Sequence, residues 1–128
     1  MKQELPKPTE AELAILNVLW DQGPSTVREV HDRLKASRQT GYTTILKLLQ
    51  IMHQKGLVLR DESTRSHVYH PRTGRQQTQR QLVGDLLERA FAGSASSLVM
   101  QTLAGRRATA DELAEIRRLL AEMENNEK

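Results

Sequence analysis

Within residues 40–56, TGYTTILKLLQIMHQKG, two adjacent threonines and a lysine share one side of a segment whose other side is apolar. Thr43 and Thr44 offer hydroxyls that donate or accept a hydrogen bond, together with a methyl each. Lys47 offers a mobile ammonium. These are groups that can read base edges in the major groove of duplex DNA. Threonine suits polar edges and the thymine methyl, and lysine suits guanine O6 and N7 or a phosphate. Ile45, Leu48, Leu49 and Met52 recur at helical spacing and mark the buried side. At about 100° per residue, Thr43 and Lys47 lie almost opposite that side, with Thr44 on its flank. The stretch holds no Asp or Glu, although acids are favoured near helix N-termini. An acid here would face the negative field of a nucleic acid. An ordinary solvated face has the same composition, so the surrounding elements must decide.

Further groups around this face suit a phosphate backbone. Ser25 and Thr26 open a preceding short helix, with Ser25 as its expected N-cap, and helix N–H groups can hold a phosphate. Arg28 lies one turn in. Tyr42 and Gln50 bracket the base-reading positions as backbone contacts, and Arg60 and Arg65 flank the tip of a hairpin, where a guanidinium can meet a phosphate. The four histidines, His31, His53, His67 and His70, show no metal-ligand spacing. With no cysteine there is no disulfide, thiolate metal site or cysteine nucleophile. No nucleophile–base–acid set and no glycine-rich phosphate loop is present, so neither an enzyme nor a cofactor is expected.

The elements that must carry these residues follow from capping and periodicity. Thr9-x-x-Glu12 is a capping box that starts a first helix. Leu13, Ile15, Leu16, Leu19 and Trp20 form its apolar face, and Gln22-Gly23-Pro24 ends it. Val27, Val30 and Leu34 give the second helix, and the 40–56 segment is the third, stopped by Gly56. LVLRD (57–61) and SHVYHP (66–71), joined by ESTR, read as a hairpin. Three helices and a two-stranded wing, in that order, predict a winged helix-turn-helix over residues 1–73.

Residues 74–128 read as helical throughout. Leu82, Val83, Leu86, Leu87, Ala90 and Phe91 form a stripe that Gly93 ends. Leu98, Val99 and Leu103 follow, and a second capping box, Thr109-x-x-Glu112, starts a last helix with Leu113, Ile116, Leu119, Leu120 and Met123 on one side. So short a region buries too little surface to form its own core. A second copy of the chain or the N-terminal domain must cover it, and dimerisation through Leu86, Phe91, Leu98, Leu103, Leu113, Ile116, Leu119, Leu120 and Met123 is the expectation. The fold class is therefore mainly α, a winged helix-turn-helix followed by a helical dimerisation region.

Charge agrees with this division. The net charge is +3 over 128 residues, but residues 25–75 hold ten Lys/Arg against four Asp/Glu, while residues 75–128 hold eight of each. A basic middle suits a polyanion. The aromatics that a single-strand reader would stack on bases are few, four in all, so duplex DNA is the better partner than RNA. No run of about 18 apolar residues and no leader pattern is present, so the expected place is the cytoplasm, away from any membrane. The rival class is a winged-helix interaction module that docks an acidic protein and binds DNA weakly, without regard to sequence.

AELAILNVLW, TVREVHDRL, GYTTILKLLQIMHQKGLV and VYHP, with LLERAFAGSASSLVMQTL and ADELAEIRRLL further on, resemble the bacterial penicillinase-repressor family of the BlaI/MecI/CopY type. The resemblance runs from about residue 9 to residue 120, and its specific part is Tyr-Thr-Thr at the third helix joined to Phe-x-Gly-Ser at 91–94. It implies a homodimeric winged-helix repressor on palindromic promoter operators, commonly of resistance or stress genes. Its base-reading positions fall on Thr43, Thr44 and Lys47, and its dimerisation region on roughly residues 75–124. Two departures concern release. The Asn-Phe bond cut in the penicillinase and methicillin repressors matches Gln101 and Thr102 here. The cysteine motif of copper-responsive relatives has no counterpart. Ile51 also stands where relatives often place an arginine. The inducing signal, and any sensor or protease partner, is not legible.

Overall fold

A computed structural model describes residues 6–127. Residues 1–5 lie outside the described residues, so the absence of a leader pattern there is a reading of the sequence alone. The first helix, α1 (Glu10–Gln22), starts at Thr9, whose hydroxyl accepts the Glu12 N–H while the Glu12 carboxylate accepts the Thr9 N–H. It stops at Gly23, where φ is +89°, a left-handed value that glycine adopts without penalty. Then come β1 (Ser25–Thr26), α2 (Val27–Leu34), α3 (Tyr42–Lys55), β2 (Val58–Asp61) and β3 (Val68–Pro71). The later helices are α4 (Arg75–Phe91), α5 (Ala95–Gly105) and α6 (Ala110–Asn126). The mainly helical winged helix-turn-helix architecture is as predicted.

Two local expectations are corrected. The wing is the outer part of a three-stranded antiparallel sheet in the order β1-β3-β2, with Ser25 opposite Tyr69 and Arg60 opposite Tyr69 from the other side. A two-residue strand carries no periodicity of its own, so only its partner reveals it. The N-cap of α2 is also Thr26 rather than Ser25: Thr26 and Glu29 form a reciprocal capping box. Ser25 is drawn into the sheet and is 1% exposed.

One core holds the helices and sheet together. Ile15, Leu16, Val18 and Leu19 of α1 meet Val30 and Leu34 of α2 and Ile45, Leu49 and Met52 of α3, closed by Leu57, Val58 and Tyr69. Leu48, expected on the buried side of α3, is partly buried against this core. Tyr69 is the largest fully buried side chain, and nothing in the residue order marks it, because a strand tyrosine reads equally well as surface. Trp20 lies partly buried beside the core, donates its indole N–H to the Thr73 carbonyl at 3.0 Å, and carries the Arg75 guanidinium over its ring. Arg75 also pairs with Asp21.

Glu12 is the one buried charged side chain among the described residues, 2% exposed. Its position has a simple cause, since it shares a helical face with Ile15, Leu16 and Leu19. Lys55, the last residue of α3, reaches both carboxylate oxygens at 2.9 Å. Burial alone would raise the Glu12 pKa. The Thr9 backbone N–H and the Lys55 ammonium outweigh it and hold the carboxyl below its ordinary value of 4.5.

The chain divides into two compact units, one reaching to Val83 and the other starting at Gly84, so the division falls inside α4. In the second unit α5 starts at Ser94 and α6 at the expected Thr109/Glu112 capping box. No described residue beyond Thr78 is buried.

Lys55→Met should lower stability by about 1–2 kcal/mol, since it leaves a carboxylate without its cation; the 38% exposure of Lys55 lets water offset part of the loss. Because the folded pKa of Glu12 is depressed, the pair's contribution is complete above about pH 4.5 and drains away as pH falls through the lower folded value. Urea midpoints at fixed protein concentration should therefore drop more steeply below that pH in the wild type than in Lys55→Met.

Candidate nucleic-acid interface

α3 is held by its inner residues Ile45, Leu49 and Met52. What remains outward is Thr43, Thr44, Lys47 and Gln50, all exposed. The first turn of the helix carries no acid, and its N-cap is Gly41, with no side-chain hydrogen bond at the cap. The first N–H groups of α3 therefore point outward without a side-chain partner at the cap. A Thr cap with a reciprocal glutamate, as at α1, α2 and α6, would have set a carboxylate at this end.

The N-terminal ends of α2 and α3 and the wing tip converge on one groove of about 440 Å³, lined by Thr26, Val27, Arg28, Tyr42, Leu46, Arg65, Ser66 and His67. Four of the backbone-contact candidates, Thr26, Arg28, Tyr42 and Arg65, thus come together although up to 39 positions apart in sequence. Tyr42 is 41% exposed. The Arg28 guanidinium lies 5.5 Å from its ring centroid, an attractive cation–π geometry, and His31 meets the same ring edge-on at 6.1 Å. This packing restrains a long arginine at the groove mouth while leaving its N–H groups able to meet a phosphate. Thr26 is occupied in its own cap, but its hydroxyl has a second lone pair and a proton to offer.

Two candidates are placed differently. The Ser25 hydroxyl is buried, donating to the Gly23 carbonyl at 2.8 Å and accepting from Gln22 Nε2 at 2.9 Å. It braces the turn before α2 instead of facing a phosphate. Arg60 is largely used inside the wing. Its side chain is 22% exposed, lies 3.6 Å from the Glu62 carboxylate, and is held charged by the Tyr69 side chain and Glu62. Arg65 is exposed in the turn.

The groove contacts of Leu46, Ser66 and His67 had no sequence signal, since they depend on how the wing folds back. The Glu12–Lys55 pair had one: a glutamate at the spacing of the α1 core stripe is a carboxylate that must find a cation. Among the described residues no group of three His, Cys, Asp or Glu side chains is arranged to hold a metal, and no helix is long and apolar enough to cross a membrane. Gln101 and Thr102 are exposed on α5, with the Thr102 hydroxyl donating to the Leu98 carbonyl at 2.8 Å.

The chain is similar to known proteins in sequence and in fold. The family model described as Penicillinase repressor matches residues 8–122. The Transcriptional regulator BlaI of Mycobacterium tuberculosis is 38% identical over 117 residues, covering 90% of this chain and 83% of that protein. The Penicillinase repressor of Bacillus licheniformis is 24% identical over 126 residues, covering 98% of each. Among solved structures, the Bacillus licheniformis BlaI monomeric form in complex with the blaP half-operator matches with a TM-score of 0.50 and 25% identity, over 57% of this chain and 89% of that one. The DNA binding domain of the repressor BlaI matches with a TM-score of 0.51 and 24% identity, over 58% and 90%.

If α3 reads base edges, Lys47→Ala should cost about 1–3 kcal/mol on the preferred duplex and relax base choice at one position. Arg65→Ala should weaken all duplexes alike and reduce the slope of log affinity against log salt by about one. Titrations of both variants at several salt concentrations separate the two roles.

Proposed function

The chain belongs to the penicillinase repressor family, and we propose that it is a sequence-specific transcriptional repressor that works as a homodimer on a palindromic promoter operator. The carrying observation is the outward face of α3, exposed and free of acids beside a groove that gathers Arg28, Tyr42 and Arg65. Thr43, Thr44 and Lys47 read base edges in the major groove. Thr26, Arg28, Tyr42, Gln50 and Arg65 anchor the phosphates that set the register. This division follows the general rule that phosphate contacts position and base contacts specify.

The homodimer has its own support. α4, α5 and α6 leave Leu86, Val99, Met100, Leu103, Leu119, Leu120 and Met123 exposed, with Met100 at 68% and Met123 at 57%. Phe91, Leu98, Leu113 and Ile116 are only partly buried. Exposed apolar side chains in this number suit an interaction surface, and a symmetric pair of copies is the commonest closed solution. The helical region 74–128 is then the dimerisation region. Two α3 helices related by a two-fold axis require half-sites about 10 bp apart, or a multiple of that. Occupying a promoter excludes polymerase, and resistance or stress genes are the targets in keeping with the family. Release by cutting at Gln101–Thr102 is disfavoured, because Gln and Thr stand where the resemblance sets the Asn-Phe pair of the relatives that are cut.

Mobility shifts on the DNA upstream of the chain's own gene test the proposal. A discrete complex at moderate salt, resistant to excess unrelated duplex, is the expected result. Equal retention of unrelated DNA would sink sequence-specific repression and favour the protein-interaction module. Leu119→Glu should turn dimers into monomers by sizing chromatography, with a folded N-terminal unit retained. Dimers that survive the substitution would place the interface elsewhere.

A further inference from the structure

The Glu12–Lys55 pair, its carboxylate buried and its ammonium partly exposed, takes no part in the groove, yet it ends on α3. We infer that Glu12 and Lys55 are positioning residues for α3: their contact fixes the rotation and axial position of that helix against α1, and so the base discrimination of Thr43, Thr44 and Lys47. The inference rests on the reading of α3 proposed above.

Apolar packing of Ile45, Leu49 and Met52 holds α3 in place but is non-directional. The two 2.9 Å contacts from Lys55 Nζ to the two Glu12 oxygens are directional and charge-assisted. The same carboxylate closes the α1 capping box by accepting the Thr9 N–H at 2.8 Å. One group therefore ties the start of α1 to the end of α3. Removing Lys55 costs stability chiefly through the buried carboxylate it leaves behind, while the pair itself, with its lysine partly exposed, adds less to stability than to direction. A helix with its side chains has a radius of about 6 Å, so a rotation of about 20° moves a side-chain tip by about 2 Å. That exceeds the whole range of a hydrogen bond. Lys55 stands about 12 Å along the helix from Lys47, given the helical rise per residue, and its ammonium is already held by Glu12.

The test uses the full chain with Glu12→Gln/Lys55→Met, in which the glutamine still closes the cap with Thr9, and Lys55→Arg as the conservative variant. Affinities for the operator and for an unrelated duplex are compared at several salt concentrations. Residual dipolar couplings of α1 and α3 amides in the free protein report the angle between the helices. In the double variant the operator-to-unrelated ratio should fall about tenfold, the scale of one lost base contact, and the couplings should change. The salt slope should stay the same, and Lys55→Arg should restore both ratio and couplings. An unchanged ratio, or unchanged couplings, overturns the inference. So does a salt slope lower by about one, which would make Lys55 a phosphate contact itself. If the double variant does not fold, Lys55→Gln carries the same comparison. If the wild type shows no operator preference, the proposed function fails instead. The couplings then decide the positioning role alone, a change supporting it and no change overturning it.

Discussion

A carboxylate at 2% exposure has to be held by hydrogen bonds and a cation, and the way Glu12 is held organises the N-terminal unit. Its backbone partner is at the start of α1 and its cation is at the end of α3, 43 positions away. Between those two ends run the apolar faces of α1 and α3, so the charged contact and the core act on the same pair of helices. The outer face of α3, with Thr43, Thr44, Lys47 and Gln50, is simply what this arrangement leaves outside. A helix has one circumference, and each residue turned inward to Leu19 or Val30 fixes which residues turn outward.

The sheet works on the same logic. β3 lies between β1 and β2, so the Tyr69 backbone is flanked on both sides while its side chain, buried in the core, anchors the wing. β1 in turn carries the chain directly into the Thr26 cap of α2. The groove between the α2 start, the α3 start and the wing turn therefore depends on a strand of two residues. Ser25 and Arg60, which would otherwise face outward, are spent on keeping that strand and the hairpin in register.

The two units differ in how they meet the demand for burial. The first closes a core from three helices and a sheet. The second has the end of α4 with α5 and α6, whose apolar stripes include no buried side chain among the described residues. Its stripes are regular and well capped, so local structure is complete while packing is not. A region of this kind draws little stability from burial within its own unit.

Residue order alone determined the features that depend on near neighbours. The capping boxes at Thr9 and Thr109, the stop at Gly23, the apolar stripes of all three N-terminal helices and the outward set Thr43, Thr44, Lys47 and Gln50 were legible, because each rests on spacings of three or four residues. Tertiary structure decided what depends on contacts between distant segments. It made Ser25 a strand residue and moved the α2 cap to Thr26, and it buried Tyr69. It also turned Arg60 toward Glu62 and Tyr69, gathered Arg28, Tyr42 and Arg65 around one groove, and gave Glu12 its lysine. The physical reason is the range of the interactions. Periodicity and capping act within one helical turn and are written in adjacent residues, whereas the partner of a buried charge or of a short strand exists only once the core has brought the two segments together.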